Sequence, residues 1–312
     1  MVTAGIRRFE PGTLRAKVQA RTVHALECGA LHPIPTHFEL VEQGGVNFLI
    51  RIISNLARKA QAKADQQQAS VAANTTHNPF LPYDEDLFVA DISETHVCLL
   101  NKFNVLDHHM LMVTRFFQEQ EFLLTACDFE ALLVCLAEFE GLAFYNAGEA
   151  AGASQRHKHM QMVPLPLTAE VSQLPIEPLL TTARFEGAMG FVPSLRFVHV
   201  LVRLEPEWLA SPWKGAQELL QLYLKMLRTV GSGVGAGRNT TIPGPYNLLA
   251  TRQWIFLVPR STECFEGISV NALGFAGGLL VKDDQQLNLL RTCGPMTALQ
   301  HVAICRGNFS KV

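Results

Sequence analysis

Short apolar segments separated by turn residues follow one another closely in the middle of the chain. Those at 96–103, 108–114, 142–146 and 157–165 predict β-strands, because they are shorter than an ordinary helix and are bounded by polar residues or glycine. Between the second and the third, the spacing of the apolar residues predicts a helix at 128–140. This order predicts an α+β fold of mostly antiparallel sheets with packed helices, rather than regular βαβ repeats.

The same mixture of short strands and helices continues in the second half of the chain. Its apolar segments predict a strand at 195–204, a helix at 216–230, a hairpin at 246–259 and a helical region at 283–305 that is broken at Gly294-Pro295. With 312 residues, the chain is long enough for two lobes. We expect an N-terminal lobe at 1–166 and a C-terminal lobe at 167–312.

The charge and the cysteines of the chain argue against several classes of protein. It has 26 Lys and Arg residues against 28 Asp and Glu, a formal net charge of −2, so it lacks the bulk basic charge that binds nucleic acid or an anionic membrane. No stretch of about 18 uncharged apolar residues occurs that would span a membrane. The seven cysteines include no C-x-x-C pair, which argues against a disulfide framework and a structural metal. We expect buried, reduced thiols and, since no secretory signal is visible, a cytoplasmic protein.

One segment, GASQRHKHMQ at 152–161, joins a glycine-containing loop to the start of a strand. On a strand, alternate side chains share a face, so His157, His159 and Gln161 point to one side and Met160 to the other. Glycine allows the backbone N–H groups of the preceding loop to converge on an anion such as a phosphate. The segment therefore predicts a polar face next to an anion-binding loop.

Three interpretations of these two histidines remain open from their spacing alone. They could ligate a metal, with His199, His108 or His109 as a third ligand. One of them could instead be a nucleophile toward phosphorus, since neutral imidazole is the main form near pH 7. They could also be structural histidines whose ring nitrogens are satisfied on the strand.

The segment His157-Lys158-His159-Met160-Gln161 resembles the H-x-H-x-Q signature of the transferase branch of the histidine-triad superfamily. Further segments resemble, in the same order, those of the ATP adenylyltransferases, also called diadenosine tetraphosphate phosphorylases: Asn101-Lys102-Phe103, Phe144-Tyr145-Asn146, Gly152-Ala153-Ser154-Gln155, Tyr246-Asn247-Leu248, Val258-Pro259-Arg260-Ser261 and 271–282. The resemblance covers about residues 31–305. Other branches are less similar. Nucleotide hydrolases generally carry a third histidine where Gln161 stands, and the galactose-1-phosphate uridylyltransferases carry an H-P-H-P-Q segment.

This resemblance implies a histidine-triad-like fold and a reversible reaction in which diadenosine tetraphosphate (Ap4A) and phosphate give ATP and ADP. His159 would attack the α-phosphorus and expel ATP, and phosphate would then attack the adenylyl-histidine to release ADP. His157 would support the loop geometry and the phosphate contacts. Gln161 would donate its amide N–H to a phosphate oxygen. These three are the catalytic residues that the resemblance implies.

The resemblance also implies substrate-binding residues and a cation. The substrate-binding residues are Gln161 together with Lys59, Asn101, Lys102, Asn146, Gly152, Ala153, Ser154, Gln155, Asn271, Ala272, Leu273, Gly278 and Lys282. Gly278 stands where a methionine can occur in the family, so any contact of that side chain with the substrate is lost in this chain. A divalent cation, Mg²⁺ or Mn²⁺, is expected with the substrate phosphates, and no structural metal is expected. The implied partners are dinucleoside polyphosphates, ATP, ADP and phosphate, and no oligomeric state is predicted.

Other functions stay open beside this one. A hydrolase would cleave the same dinucleoside polyphosphates with water, and a related transferase would exchange an adenylyl group between ADP and sulfate on the same histidine. A nucleotide-binding sensor without catalysis is a further alternative, and the presence of both His159 and Gln161 argues against it. A metal-dependent enzyme needs a third ligand that the sequence does not place.

Overall fold

The computed structural model describes residues 7–53, 78–231 and 244–306. The strands in these ranges are β1 Thr36–Gln43, β2 Val46–Ile53, β3 Phe88–Asp91, β4 His96–Leu100, β5 Met110–Thr114, β6 Gly141–Ala147, β7 His159–Pro164, β8 Arg184–Glu186, β9 Met189–Phe191, β10 Val200–Arg203, β11 Tyr246–Ala250, β12 Trp254–Pro259, β13 Cys264–Phe265, β14 Ile268–Ser269 and β15 Gly278–Val281. The α-helices are α1 Leu14–Glu27, α2 Ala126–Glu138, α3 Glu177–Leu180, α4 Pro206–Ala210, α5 Pro212–Thr229, α6 Ala272–Phe275, α7 Asp284–Cys293 and α8 Pro295–Val302. Within the described ranges, no helix has the length and apolar character needed to cross a membrane.

Ten of the strands form one continuous antiparallel sheet in the order β3-β4-β5-β7-β6-β11-β12-β10-β9-β8. A second sheet, β1-β2-β15, has β15 parallel to β2, and β13 pairs with β14. The predicted α+β fold with mostly antiparallel sheets is therefore confirmed. The large sheet contains strands from both halves of the chain, since β6 pairs with β11. The lobe boundary between residues 166 and 167 stays a prediction.

Local sequence signals explain where α2 begins and why it packs on α5. Thr125 and Asp128 form a capping box, in which the Asp128 carboxylate accepts the Thr125 backbone N–H at 2.7 Å, so the helix begins at Ala126. Along α5, buried residues such as Leu219 and Tyr223 recur at helical spacing. The buried sides of α2 and α5 pack against each other and against the large sheet.

The two faces of the large sheet bury different apolar side chains. On the first face, Met160 and Met162 of β7 pack with α2 and α5. On the second face, Val163 of β7 belongs to a core that the β1-β2-β15 sheet and helices α6, α7 and α8 complete. A separate, smaller cluster on the second face contains Leu111 and Val113 of β5. The apolar covering of the second face is therefore divided in two.

The expectation that the cysteines are buried is confirmed for two of the seven. Cys98 and Cys135 are buried, Cys127 and Cys264 are partly exposed, and Cys28, Cys293 and Cys305 are exposed. These three lie at the end of a helix or just beyond it. Their neighbours in the sequence are mostly polar residues or glycine, as expected where a helix ends at the surface.

Candidate active site

A strip of three polar side chains lies in the gap between the two apolar clusters of the second face. It consists of His157, His159 and Gln161, and we call it the histidine strip. In the register of the sheet, Gln161 lies between Leu111 of β5 and Phe144 of β6, which belong to the two separate clusters. The alternation of side chains that the sequence predicts is thereby confirmed for β7.

His159 holds its ring in a single tautomer. Its Nδ1–H donates to the carbonyl oxygen of His157 at 2.8 Å, so the lone pair is on Nε2. Among the residues that the structure describes, none is hydrogen-bonded to this Nε2. Burial lowers the pKa of His159 to about 4, which leaves the ring neutral near pH 7. A neutral imidazole with a free Nε2 is a nucleophile that needs no separate base.

Acidification is expected to destabilise the protein through its buried histidines. Burial lowers the pKa of His109, His159 and His199 to about 4, whereas the ordinary pKa of the unfolded chain is about 6.5. Between these values the unfolded state binds more protons than the folded state, so the free energy of unfolding decreases as the pH falls from about 6.5 toward 4. Each of these histidines contributes up to about 1.4 kcal/mol per pH unit in this interval.

Urea unfolding at neutral pH and at about pH 5 measures this effect. The free energy of unfolding should be lower at the acidic pH. A His199→Gln variant, which lacks one of the three titrating groups, should lose less stability on acidification than the wild type. Equal unfolding free energies at the two pH values would contradict the neutral state of the buried histidines.

His157 is held by its own hydrogen bonds and in turn holds His159. Its Nε2–H donates to the carbonyl oxygen of Thr114 at 2.8 Å, and its Nδ1 accepts from the Asn78 amide nitrogen at 3.1 Å. Its carbonyl oxygen accepts the Nδ1–H of His159. The ring of Phe80 lies 5.6 Å from the ring of His157 and 5.3 Å from that of His159. These contacts suit the supporting role that the sequence suggests for His157, which stays a prediction.

Gln120, which the sequence analysis does not identify, fixes the backbone of His159. The pairing of β6 with β7 ends at Phe144 and Gln161. Beyond that point, the buried Gln120 side chain connects the backbones of the two segments. Its Nε2 donates to the carbonyl oxygens of Asn146 at 2.9 Å and His159 at 3.1 Å. Its Oε1 accepts the His159 backbone N–H at 2.8 Å. Gln120 thus replaces the missing strand neighbour of the candidate nucleophile, and its polar neighbours in the sequence give no sign of this.

Asn146 lies where the loop that contains Gly148 and Gly152 (residues 148–155, the glycine loop) meets a distant part of the chain. Its Oδ1 accepts from the Nδ2 of Asn247 at 2.8 Å and from the backbone N–H of Ala272 at 3.0 Å. Gly152 has a φ of +86°, and a Cβ atom there would lie 2.8 Å from the Cβ of Asn271. The structure therefore brings together three regions that the sequence predicts separately: the glycine loop, Asn146 and the stretch that begins at Asn271.

Three more predicted residues continue the glycine loop, and one, Asn101, is connected to the histidine strip through His109. Ala153, Ser154 and Gln155 follow Gly152, and Ser154 is the exposed one. The predicted pair Asn101 and Lys102 follows β4. The amide nitrogen of Asn101 lies 3.2 Å from Nδ1 of His109, and Nζ of Lys102 lies 3.4 Å from a carboxylate oxygen of Asp84. Their contacts with a substrate stay predictions.

The remaining predicted residues are connected less directly to the histidine strip. The backbone N–H of Leu273 donates to Oδ1 of Asn271, the N-cap of α6. Gly278 begins β15, and a Cβ atom there would lie 3.6 Å from the carbonyl oxygen of Leu273. Lys282 is exposed, and no contact within the described ranges joins it to the histidine strip. Lys59 lies outside the described residues. Their roles stay predictions.

Arg260 is a second residue to which the sequence analysis gives no role. Its buried guanidinium donates to Oδ1 of Asn247 at 2.6 Å and to the carbonyl oxygens of Ala151 at 3.3 Å and Val302 at 3.1 Å. Two further carbonyl oxygens of the segment that follows it accept from Nη2. Burial lowers the pKa of Arg260 to about 10, so it stays charged at neutral pH. Arg260 therefore ties the glycine loop and the partner of Asn146 to the end of α8.

The geometry favours a nucleophile over a metal ligand at the histidine strip. In the part of the chain that the structure describes, one group of three metal-binding side chains lies close together, namely His24, Cys28 and Asp86. All three are exposed, and none belongs to the strip. Of the third ligands considered from the sequence, His199 uses both ring nitrogens in backbone hydrogen bonds, and His109 bonds both of its ring nitrogens to side chains.

Solved structures of a yeast protein and curated yeast proteins are similar to this chain. The crystal structure of yeast Ap4A phosphorylase Apa2 matches with a TM-score of 0.76 and 23% identity, over 100% of this chain and 98% of that one. The same protein in complex with Ap4A matches with a TM-score of 0.75 and 22% identity, over 95% and 99%. Diadenosine 5',5'''-P1,P4-tetraphosphate phosphorylase 2 of Saccharomyces cerevisiae is 27% identical over 89% of this chain and 90% of its own length. Protein APA1 of the same yeast is 29% identical over 62% and 63%.

Two family models match consecutive parts of the chain. Residues 193–305 match the model described as the ATP adenylyltransferase C-terminal domain. Residues 5–182 match the model described as the Ap4A phosphorylase N-terminal domain, which covers more than half of the sequence. The glycine loop and the histidine strip lie inside this second match. The chain therefore belongs to the Ap4A phosphorylase family.

Proposed function

We propose that this chain catalyses the reversible phosphorolysis of Ap4A to ATP and ADP through an adenylyl group carried on His159. The main support for this proposal is the neutral, buried ring of His159, whose Nε2 is not hydrogen-bonded to any described residue. Family membership supports the choice of substrate. The yeast relative is named as a phosphorylase of this tetraphosphate, and the similar yeast structure is a complex with it.

In the first step, the Nε2 lone pair of His159 forms a bond to the α-phosphorus of Ap4A. The bond from this phosphorus to the bridging oxygen breaks, and ATP leaves with its electron pair. In the second step, an oxygen of inorganic phosphate attacks the same phosphorus, the N–P bond breaks, and ADP is released. The lone pair returns to Nε2, so the enzyme is regenerated without a separate base.

The hydrogen bond from Nδ1 of His159 to the His157 carbonyl has two effects in this mechanism. It keeps the lone pair on Nε2 before the reaction. It also stabilises the positive charge that the ring carries once Nε2 is bonded to phosphorus, because a charged N–H donor forms a stronger hydrogen bond than a neutral one. The His157 carbonyl is already in place at 2.8 Å, so no reorganisation is needed when the charge develops.

The phosphate oxygens of the substrate are bound by donors around His159. Gln161 supplies its amide nitrogen, and the glycine loop supplies backbone N–H groups together with the hydroxyl of Ser154. The meeting of this loop with Asn271 beside Asn146 supports the location. The other proposed substrate contacts are those of Lys59, Asn101, Lys102, Asn146, Gln155, Asn271, Ala272, Leu273, Gly278 and Lys282.

Mg²⁺ or Mn²⁺ enters this proposal as part of the substrate. Bound to the polyphosphate chain, a divalent cation lowers the negative charge that a nucleophile must approach. ATP, ADP and phosphate complete the set of small-molecule partners. A cytoplasmic location and the lack of nucleic-acid and membrane partners stay predictions.

Incubation of the purified protein with Ap4A and a divalent cation, with and without phosphate, tests the proposed function. We expect ATP and ADP in equal amounts with phosphate and little cleavage without it. Cleavage to AMP and ATP in the absence of phosphate would overturn the proposal in favour of a hydrolase. A parallel reaction with sulfate in place of phosphate measures adenylyl transfer to that acceptor.

A further inference from the structure

His109 lies immediately before β5 and is hydrogen-bonded to the histidine strip. Its side chain is buried, and its Nε2 lies 2.9 Å from Oε1 of Gln161. Its Nδ1 lies 3.2 Å from the amide nitrogen of Asn101. The ring also packs against Phe144 at a centroid distance of 5.9 Å. Asn101, His109 and Gln161 therefore form a continuous chain of side-chain hydrogen bonds that ends at the candidate site.

The direction of the hydrogen bonds between Asn101, His109 and Gln161 follows from which atoms of these side chains donate and which accept. The amide nitrogen of Asn101 is only a donor, so Nδ1 of His109 accepts and the ring proton is on Nε2. That proton is donated to Oε1 of Gln161, and the NH₂ group of Gln161 remains for the substrate. Burial lowers the pKa of His109 to about 4, which keeps a single proton on the ring at neutral pH. With the Asn101 amide nitrogen directed at Nδ1, as in the structure, these hydrogen bonds are consistent with one tautomer of His109 and one orientation of the Gln161 amide.

We infer that His109 is a positioning residue that holds Gln161 with its amide N–H groups, and not its carbonyl oxygen, directed toward the substrate phosphate. This inference rests on the proposed function. If the glutamine amide rotates by half a turn about its terminal C–C bond, the carbonyl oxygen takes the place of the NH₂ group. An acceptor oxygen at that place repels a phosphate oxygen. The bond from His109 to Oε1 disfavours the turned orientation. Asn101 acts one step further back, because it fixes the tautomer of His109.

A His109→Phe variant tests the inference, because it retains a ring of similar shape and removes both nitrogens. We expect kcat for phosphorolysis to fall about 10-fold, since a misoriented donor is lost mainly in the transition state. The KM for Ap4A should change less than kcat. His109→Gln keeps an N–H donor near the position of Nε2 and should restore most of the rate. His199→Phe is a matched change at another buried histidine, which lies immediately before β10, and it should leave the kcat of the folded protein unchanged.

A double-mutant cycle with Gln161→Ala distinguishes positioning from a general structural effect. Gln161→Ala alone is expected to lower kcat about 100-fold, the scale for one lost donor on a developing charge. If His109 acts through Gln161, adding His109→Phe to Gln161→Ala should cause no further loss. Effects that multiply, or a wild-type kcat in His109→Phe, would overturn the inference alone. A wild-type protein that does not form ATP and ADP from Ap4A and phosphate would overturn the proposed function, and the inference with it.

Discussion

The substitution His159→Gly is expected to abolish phosphorolysis of Ap4A while the fold is retained. No other member of the histidine strip replaces the lost nucleophile, since a glutamine amide is not nucleophilic and both ring nitrogens of His157 are hydrogen-bonded. Loss of a covalent nucleophile lowers kcat by at least about 10³-fold. Among the described residues, the His159 side chain makes one hydrogen bond, to a backbone carbonyl, so its removal leaves no buried polar side chain without a partner. The cost of glycine in a strand is about 1 kcal/mol.

Steady-state formation of ATP and ADP, measured beside far-ultraviolet circular dichroism, checks this prediction. The variant should show the wild-type spectrum and no turnover above background. Added imidazole should restore part of the activity, because it can occupy the space that the ring vacates. Turnover within about 10-fold of the wild type would assign the chemistry to another residue.

The substitution Arg260→Met is expected to lower the free energy of unfolding by about 2–3 kcal/mol. The guanidinium is the donor for Oδ1 of Asn247 and for the carbonyl oxygens of Ala151 and Val302, all in a buried region. Methionine fills a similar volume and cannot donate, so these acceptors lose a partner without gaining water. Asn247 in turn holds Asn146, so activity should also decrease in the fraction that folds.

Arg252→Met is the matched control for this prediction. Arg252 also donates to backbone carbonyl oxygens, those of Leu136 and Ala137, but its side chain is 27% exposed. Water can reach these acceptors when the side chain is removed, so the expected loss is at most about 1.5 kcal/mol. Urea unfolding followed by tryptophan fluorescence gives both values. Equal losses in the two variants would show that the buried network around Arg260 stabilises the protein no more than the partly exposed contacts of Arg252 do.

The parts of the structure that the sequence predicts depend on local patterns. The spacing of apolar residues places α2, and a local capping box at Thr125 begins it. The alternation along β7 separates Met160 and Met162 from the histidine strip, because side chains on a strand must alternate. The break in the last helical region also occurs as predicted, with α7 and α8 on either side of Gly294. These features need only the residues within a few positions of each other.

The parts that the sequence does not predict depend on contacts between residues far apart in the chain. Gln120 bonds to His159 across 39 positions, and His109 bonds to Gln161 across 52. Arg260 reaches Ala151 across 109 positions. None of these residues has a local pattern that specifies its partner, since only the strand order of the large sheet brings them together. The resemblance to a family identifies the residues of the motifs, but not the side chains that hold them in place.

Mass spectrometry of the protein after mixing with Ap4A in the absence of phosphate detects the adenylyl-histidine itself. The reaction is stopped under alkaline denaturing conditions, because a phosphoramidate bond is hydrolysed by acid, and fragments of the peptide that contains His157 and His159 are then sequenced. We expect one AMP on His159 of the wild type, no AMP on the His159→Gly variant, and loss of the adduct when phosphate is added before the reaction is stopped. An adduct on His157, or an active wild-type protein that never carries AMP, would contradict it.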